Sequence, residues 1–176
     1  MSSEKLSSVI SFILKKSLSG RGRIELSKLL YYCEGVYFQR HSNVITNQKY
    51  IHLEDSPYPY LLNETILEMK NEGYLDVQPK LTKNGVGGFL IVLVKEYDDL
   101  LDKEEKRIIT KVLEAYKNGV TDESKHYPNL YENYVITPLY SEIAFRTDTI
   151  NTKIHFFKKK SLLSISGKIF RVLFND

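Results

Sequence analysis

A chain of 176 residues with 42% hydrophobic and 27% charged side chains has the make-up of one folded domain, or of one domain with an appendage, and is too apolar for a disordered chain. Its net charge of +3 excludes a uniform polycation, and its single cysteine, Cys33, excludes an internal disulfide and fits a reducing compartment. The longest purely apolar stretch, Phe89 to Val94, is far too short to span a bilayer, and Glu4 and Lys5 precede a short amphipathic run where a signal peptide would carry an apolar core, so the expected location is cytoplasmic.

In chain order, Leu6, Val9, Ile10, Ile13 and Leu14 recur at the spacing of one helical face and predict a helix over roughly Glu4 to Leu18, with Lys15 and Lys16 suiting its C-terminal dipole. Gly20-Arg21-Gly22-Arg23 breaks it, because two glycines so close together do not sit inside a helix. The two arginines read either as a solvated loop or as a contact for a phosphate or acidic partner. Ile24 to His41 forms the helix around which the chain is organised. Leu26, Leu29, Leu30, Cys33, Val36 and Tyr37 share a face too apolar for a surface stripe, and Glu25, Lys28, Glu34 and Gln39 are expected on the opposite face. Cys33 reads as a buried small hydrophobe rather than a nucleophile.

Val44 to Leu53 reads as a loop with a short strand. Pro57-Tyr58-Pro59 forces an extended segment ahead of a short helix, whose buried face is marked by Leu62, Ile66 and Met69 and whose end is closed by Gly73. Tyr74 to Val77 alternates as a strand, Asn84 to Gly88 is a turn cluster, and Phe89 to Val94 is a β run. The glycines of that cluster lack the Lys-Ser/Thr ending of a phosphate loop and open a strand rather than a helix. Asp102 and Glu105 stand at capping-box spacing before a helix carrying Ile108, Ile109, Val112, Leu113 and Tyr116, which Asn118-Gly119 ends. Asp122 to Tyr134 reads as a further short helix interrupted at Pro128, Thr137-Pro138 as a turn, and Ser141 to Phe145 as another helical turn.

The last segment changes character. Residues 146–176 hold seven basic residues against two acids, +5, so the first 145 residues carry −2. Ile154 to Phe157 and Ile169 to Phe174 are aromatic and β-prone. The expected fold is therefore α+β and mostly α-helical: a helical core with a small antiparallel, wing-like β-hairpin over residues 1–145, and a β-prone basic C-terminal appendage over residues 146–176.

These motifs carry a resemblance. Leu26-Ser27-Lys28-Leu29-Leu30-Tyr31-Tyr32-Cys33-Glu34-Gly35 resembles the aromatic-rich helix of the Panacea-domain, or SocA-like, family. Ser56-Pro57-Tyr58 stands where that family has a Gly-Pro turn, with Ser56 in place of the glycine. Leu62, Ile66 and Met69 match its next helix, Gly73-Tyr74-Leu75 its closing turn, and Val112 to Tyr116 with His126-Tyr127-Pro128 its later helix and His-x-x-Pro region. The similarity runs from Ile24 to Pro128. It implies a non-enzymatic protein that binds a protein partner, as an antitoxin neutralising a toxin or as an adaptor delivering one to a protease, in bacteria or phage. No cofactor or metal is expected, since the chain has no CxxC and no HExxH.

Such a role needs an aromatic patch with a polar rim. The candidate partner-binding residues are Tyr31, Tyr32, Phe38, Tyr58, Tyr60 and Tyr131, joined by Lys158, Lys159 and Lys160 in the basic segment. Tyr31 and Tyr32 lie about 100° apart on a helix, so with Tyr37 and Phe38 they are not expected to share one core. The other reading packs these rings inside with hydroxyls at the rim. The lysines read first as a solvated strand edge, and otherwise as a contact with nucleic acid or with an acidic patch on a protein partner. Catalysis finds no support: the four histidines, His41, His52, His126 and His155, have no metal-ligand spacing, and Asp98, Asp99 and Asp102 read as a solvated helix start. The rival function is a winged-helix DNA-binding regulator, from the helix-then-hairpin order of Ile66 to Val94. Against it, Asn63 to Glu72 carries Glu64, Glu68 and Glu72 against Lys70 alone, the wrong sign for a helix facing phosphates.

Overall fold

The computed structural model of the protein describes residues 2–17, 19–81, 87–117 and 123–145, so the expectations for the basic segment lie outside the described residues. The architecture is α+β and mostly helical, as expected. The first helix, α1 (Ser2–Lys15), buries Leu6, Val9, Ile10, Ile13 and Leu14. After the Gly-Arg break comes a two-residue strand, β1 (Arg21–Gly22), and then the central helix α2 (Arg23–His41). Arg21 is paired with Glu25, one helical turn on.

Two short strands follow, β2 (Tyr50–His52) and β3 (Pro57–Pro59), then helix α3 (Leu62–Asn71). Helix α3 buries Leu62, Ile66 and Met69 and is followed by Gly73 at φ +80, the left-handed position that glycine occupies without a Cβ penalty. Strands β4 (Leu75–Leu81) and β5 (Gly87–Leu93) form the expected wing, in register from Leu75 opposite Leu93 to Leu81 opposite Gly87. With β1 they make an antiparallel sheet of order β1-β5-β4. Helix α4 (Lys103–Ala115) starts with a complete capping box: the Asp102 side chain takes the Glu105 N–H, and the Glu105 side chain takes the Asp102 N–H, both at 2.8 Å. Helices α5 (Glu123–His126) and α6 (Pro128–Ile136) are split at Pro128, whose missing N–H suits the first helical turn. Ser141 to Phe145 is not the helical turn its sequence implied. It contains β6 (Glu142–Ile143), because Tyr50 and Ile51 offer free strand edges opposite Ile143 and Glu142, completing a sheet of order β3-β2-β6.

Helix α2 differs most from its sequence pattern. Leu26, Ser27 and every residue from Leu29 to Val36 are buried, so it is a central rod rather than a one-faced helix. Glu34, expected on the solvated side, is 1% exposed. Tyr31 and Tyr32, not expected to share one core, are both fully buried in it and touch edge to face at 5.4 Å, because other elements cover α2 on more than one side. Tyr31 meets Tyr50 and Phe145 at ring separations of 5.5 and 5.3 Å, while Tyr32 meets Tyr116 and Tyr127 at 5.3 and 5.8 Å. Gly35 lets α6 in close: a Cβ there would lie 2.5 Å from a Leu130 methyl. The Tyr31 hydroxyl donates to the Leu130 carbonyl at 3.0 Å and fixes the same crossing.

Candidate partner-binding surface

Several ionisable side chains among the described residues are engaged in holding the fold together. Cys33 is buried, and burial pushes its thiol well above the usual range, so it stays protonated and unreactive. The Glu34 carboxylate accepts the Ile45 N–H at 2.6 Å, the Thr46 N–H at 2.9 Å and the Thr46 hydroxyl, which ties the return segment after α2 back onto the helix. Burial raises its pKa, and those same hydrogen bonds pull it part of the way back. Asp102 is used as the α4 cap and Asp99 is paired with Lys106. His41 reaches Glu104 at 3.5 Å, and the His52 ring packs on Tyr134. Among the described residues, no group of three or more His, Cys, Asp or Glu side chains is placed to hold a metal ion.

The sequence-predicted aromatic residues separate into layers. Tyr31 and Tyr32 lie beneath the surface, within one connected aromatic core. Phe38 is half-buried at the open end of the Tyr31 cluster, with its ring 5.8 Å from that of Phe145. Tyr131, half-buried on α6, follows Leu130 at the Gly35 crossing. Tyr58 and Tyr60 belong to the β3–α3 corner instead. The half-buried Tyr58 hydroxyl donates to the Asn63 side chain at 2.5 Å, and Tyr60 is 62% exposed. Tyr60 precedes α3 in the turn, and Leu67, another exposed apolar residue, lies on the outward side of α3 with Glu64 and Glu68. Lys158, Lys159 and Lys160 lie outside the described residues.

Sequence reasoning missed the richest apolar surface. Val135, Ile136, Leu139 and Tyr140 are all exposed, at the end of α6 and in the turn leading to β6. Tyr131 lies one turn before Val135 on the same helical stripe. The signal was present: Tyr134-Val135-Ile136 are three consecutive apolar residues spanning about 200° of a helix, more than a short helix on one side of a core can bury. Tyr134 takes the buried place, its hydroxyl donating to the Leu53 carbonyl at 2.7 Å, and the other two face outward.

No helix among the described residues is long and apolar enough to cross a membrane. No curated protein and no solved structure matches the chain. A family model described as antitoxin SocA-like, Panacea domain, matches residues 26–126, the span that contains the buried central helix, the β3–α3 corner, the wing and α4. The chain belongs to the SocA-like antitoxin, Panacea-domain family.

Proposed function

We propose that this protein is a non-enzymatic, cytoplasmic antitoxin that acts by binding a protein, either neutralising a toxin directly or delivering it to a protease. The observation that carries the reading is the exposed apolar run Val135–Tyr140 on a member of an antitoxin family. Contiguous exposed apolar surface is the usual mark of a protein-binding site, and tyrosine is enriched at the centres of such sites. In this reading Phe38, Tyr58, Tyr60 and Tyr131 contact the partner or its rim, Tyr31 and Tyr32 hold the contact residues from below, and Lys158, Lys159 and Lys160 add basic contacts from the appendage that follows the 1–145 domain.

The test is a tagged pull-down from native cells, split into nuclease-treated and untreated halves, with the recovered protein then expressed alone and with its captor. One stoichiometric protein that survives nuclease, arrests growth alone and is silenced by co-expression is the expected result. Recovery of nucleic acid, with no protein retained after treatment, would overturn it in favour of the DNA-binding reading. That reading is opposed by α3, where Glu64 and Glu68 are exposed on the helix preceding the wing.

A further inference from the structure

The end of α6 and the turn after it hold apolar residues outward at a cost. Val135 is 52%, Ile136 42%, Leu139 42% and Tyr140 69% exposed, four large apolar side chains within six residues. Single exposed apolar residues are ordinary, but four so close together in the chain are not. Tyr140 adopts φ +63, in the left-handed region that side chains other than glycine and asparagine rarely enter. Its backbone is pinned there: the Tyr140 N–H donates to the His52 carbonyl at 2.8 Å, the Ser141 N–H to the Pro138 carbonyl at 3.0 Å, and the His52 N–H to the Ser141 carbonyl at 3.0 Å. The surrounding ladder thus over-determines a strained residue whose ring is left in solvent. Residues held in such conformations by their surroundings cluster at binding and switch sites.

Among the described residues, the charges near this surface that lack an ion pair are acidic. The Tyr134–Leu53 hydrogen bond brings Glu54 and Asp55, both exposed, beside the end of α6. Glu132 lies one turn before Ile136 on the same stripe. Glu142 is paired with Lys49 at 3.0 Å, so that pair cancels. Neither Glu54, Asp55 nor Glu132 has an ion pair among the described residues. An acidic rim repels phosphates, and a two-fold contact between copies would set acid against acid.

We infer that the Val135–Tyr140 surface receives an apolar segment of a protein partner flanked by basic residues, with Tyr140 as the central anchor. The inference rests on the protein-binding reading above and assigns that reading a place and a partner chemistry. The apolar part of the partner covers Val135, Ile136 and Leu139, and its lysines or arginines meet Glu54, Asp55 and Glu132. Desolvated aromatic anchors carry most of the affinity of such contacts, while rim charges mainly set the encounter rate and its salt dependence.

The test pans random peptides displayed on phage against the full chain, then measures synthesised winners by fluorescence anisotropy. The inference expects winners that combine clustered Leu, Ile, Val or Phe with net positive charge. It expects Leu139→Asp and Val135→Glu each to weaken binding about tenfold or more, and Glu54→Lys with Asp55→Lys to weaken it with reduced salt sensitivity. Circular dichroism melts matching the parent chain show that the variants fold, and two sites of substitution guard against either one failing. Neutral or acidic winners would overturn the inference. So would winners indifferent to both substitutions, although these would leave a protein-binding role intact at another surface. Absence of winners together with an empty pull-down would remove both readings. Dimerisation of the full chain abolished by Leu139→Asp would give the surface to a second copy. Carbodiimide cross-links from Lys158, Lys159 or Lys160 to Glu54 or Asp55 within one chain would give it to the chain's own basic segment.

Discussion

Glu34 shows how a charge inside a helix is made structural. Its carboxylate satisfies the Ile45 and Thr46 N–H groups and the Thr46 hydroxyl, all buried with it. Glu34→Ala would leave these donors without a partner and is expected to cost on the order of 3 kcal/mol, read from urea unfolding. The pH dependence has a definite sign. Burial raises the folded-state pKa above the ordinary carboxylate value of 4.5, so the folded chain keeps a proton that the unfolded chain releases. The stability this group contributes is complete below the unfolded pKa and is lost as pH rises through the folded one. Glu34→Gln is expected to flatten that part of the stability–pH curve, and a curve of unchanged shape would refute the assignment. The pattern of α2 put Glu34 on the wrong side because periodicity reports one buried face, and α2 has several.

Between elements, two contacts decide the packing. The α2–α6 crossing depends on Gly35, since a Cβ there would meet the Leu130 side chain at 2.5 Å. Gly35→Val is expected to destabilise by about 2 kcal/mol through overpacking. Leu130→Ala alone should cost about 3 kcal/mol through the cavity it leaves. Combined, the two should cost less than their sum by about 1 kcal/mol, because each relieves the other, and simple additivity in denaturant titrations would contradict the contact. The α4 capping box is independent of this crossing. Asp102→Ala is expected to cost about 1 kcal/mol and lower the melting temperature by several degrees. The box was legible because its partners are three residues apart. Strand β6 was not, because a two-residue strand exists only where Tyr50 and Ile51 offer it an edge.

For the molecule as a whole, charge separates the possible partners. The acids Glu64 and Glu68 lie on the outward side of α3, so no binding to duplex DNA through this helix is expected in mobility-shift assays. A shift abolished by a change at Glu68 in a folded protein would contradict this. Removing residues 146–176, which carry +5, is expected to weaken the partner complex while leaving the helical core folded. Undiminished affinity in that truncation would exclude a role for Lys158, Lys159 and Lys160.

The sequence by itself determined what depends on neighbours along the chain. The helical faces of α1, α3 and α4, the capping box, the Gly73 stop, the Pro128 break and the β4–β5 wing all follow from spacing and turn chemistry, and the family resemblance runs through those same local patterns. Only the tertiary structure decided which residues lie at a surface. Tyr31 and Tyr32 touch edge to face and join one aromatic core, roofed by residues as distant as Tyr50, Phe145, Tyr116 and Tyr127, and so both went inside. Val135 and Ile136, as apolar as any core residue, stayed outside because Tyr134 and Leu130 already occupy the inward side of a short helix, and Leu139 and Tyr140 stayed outside in the turn that follows it. Hydrophobicity says that a residue gains by leaving water, and the fold settles whether the cover comes from its own chain.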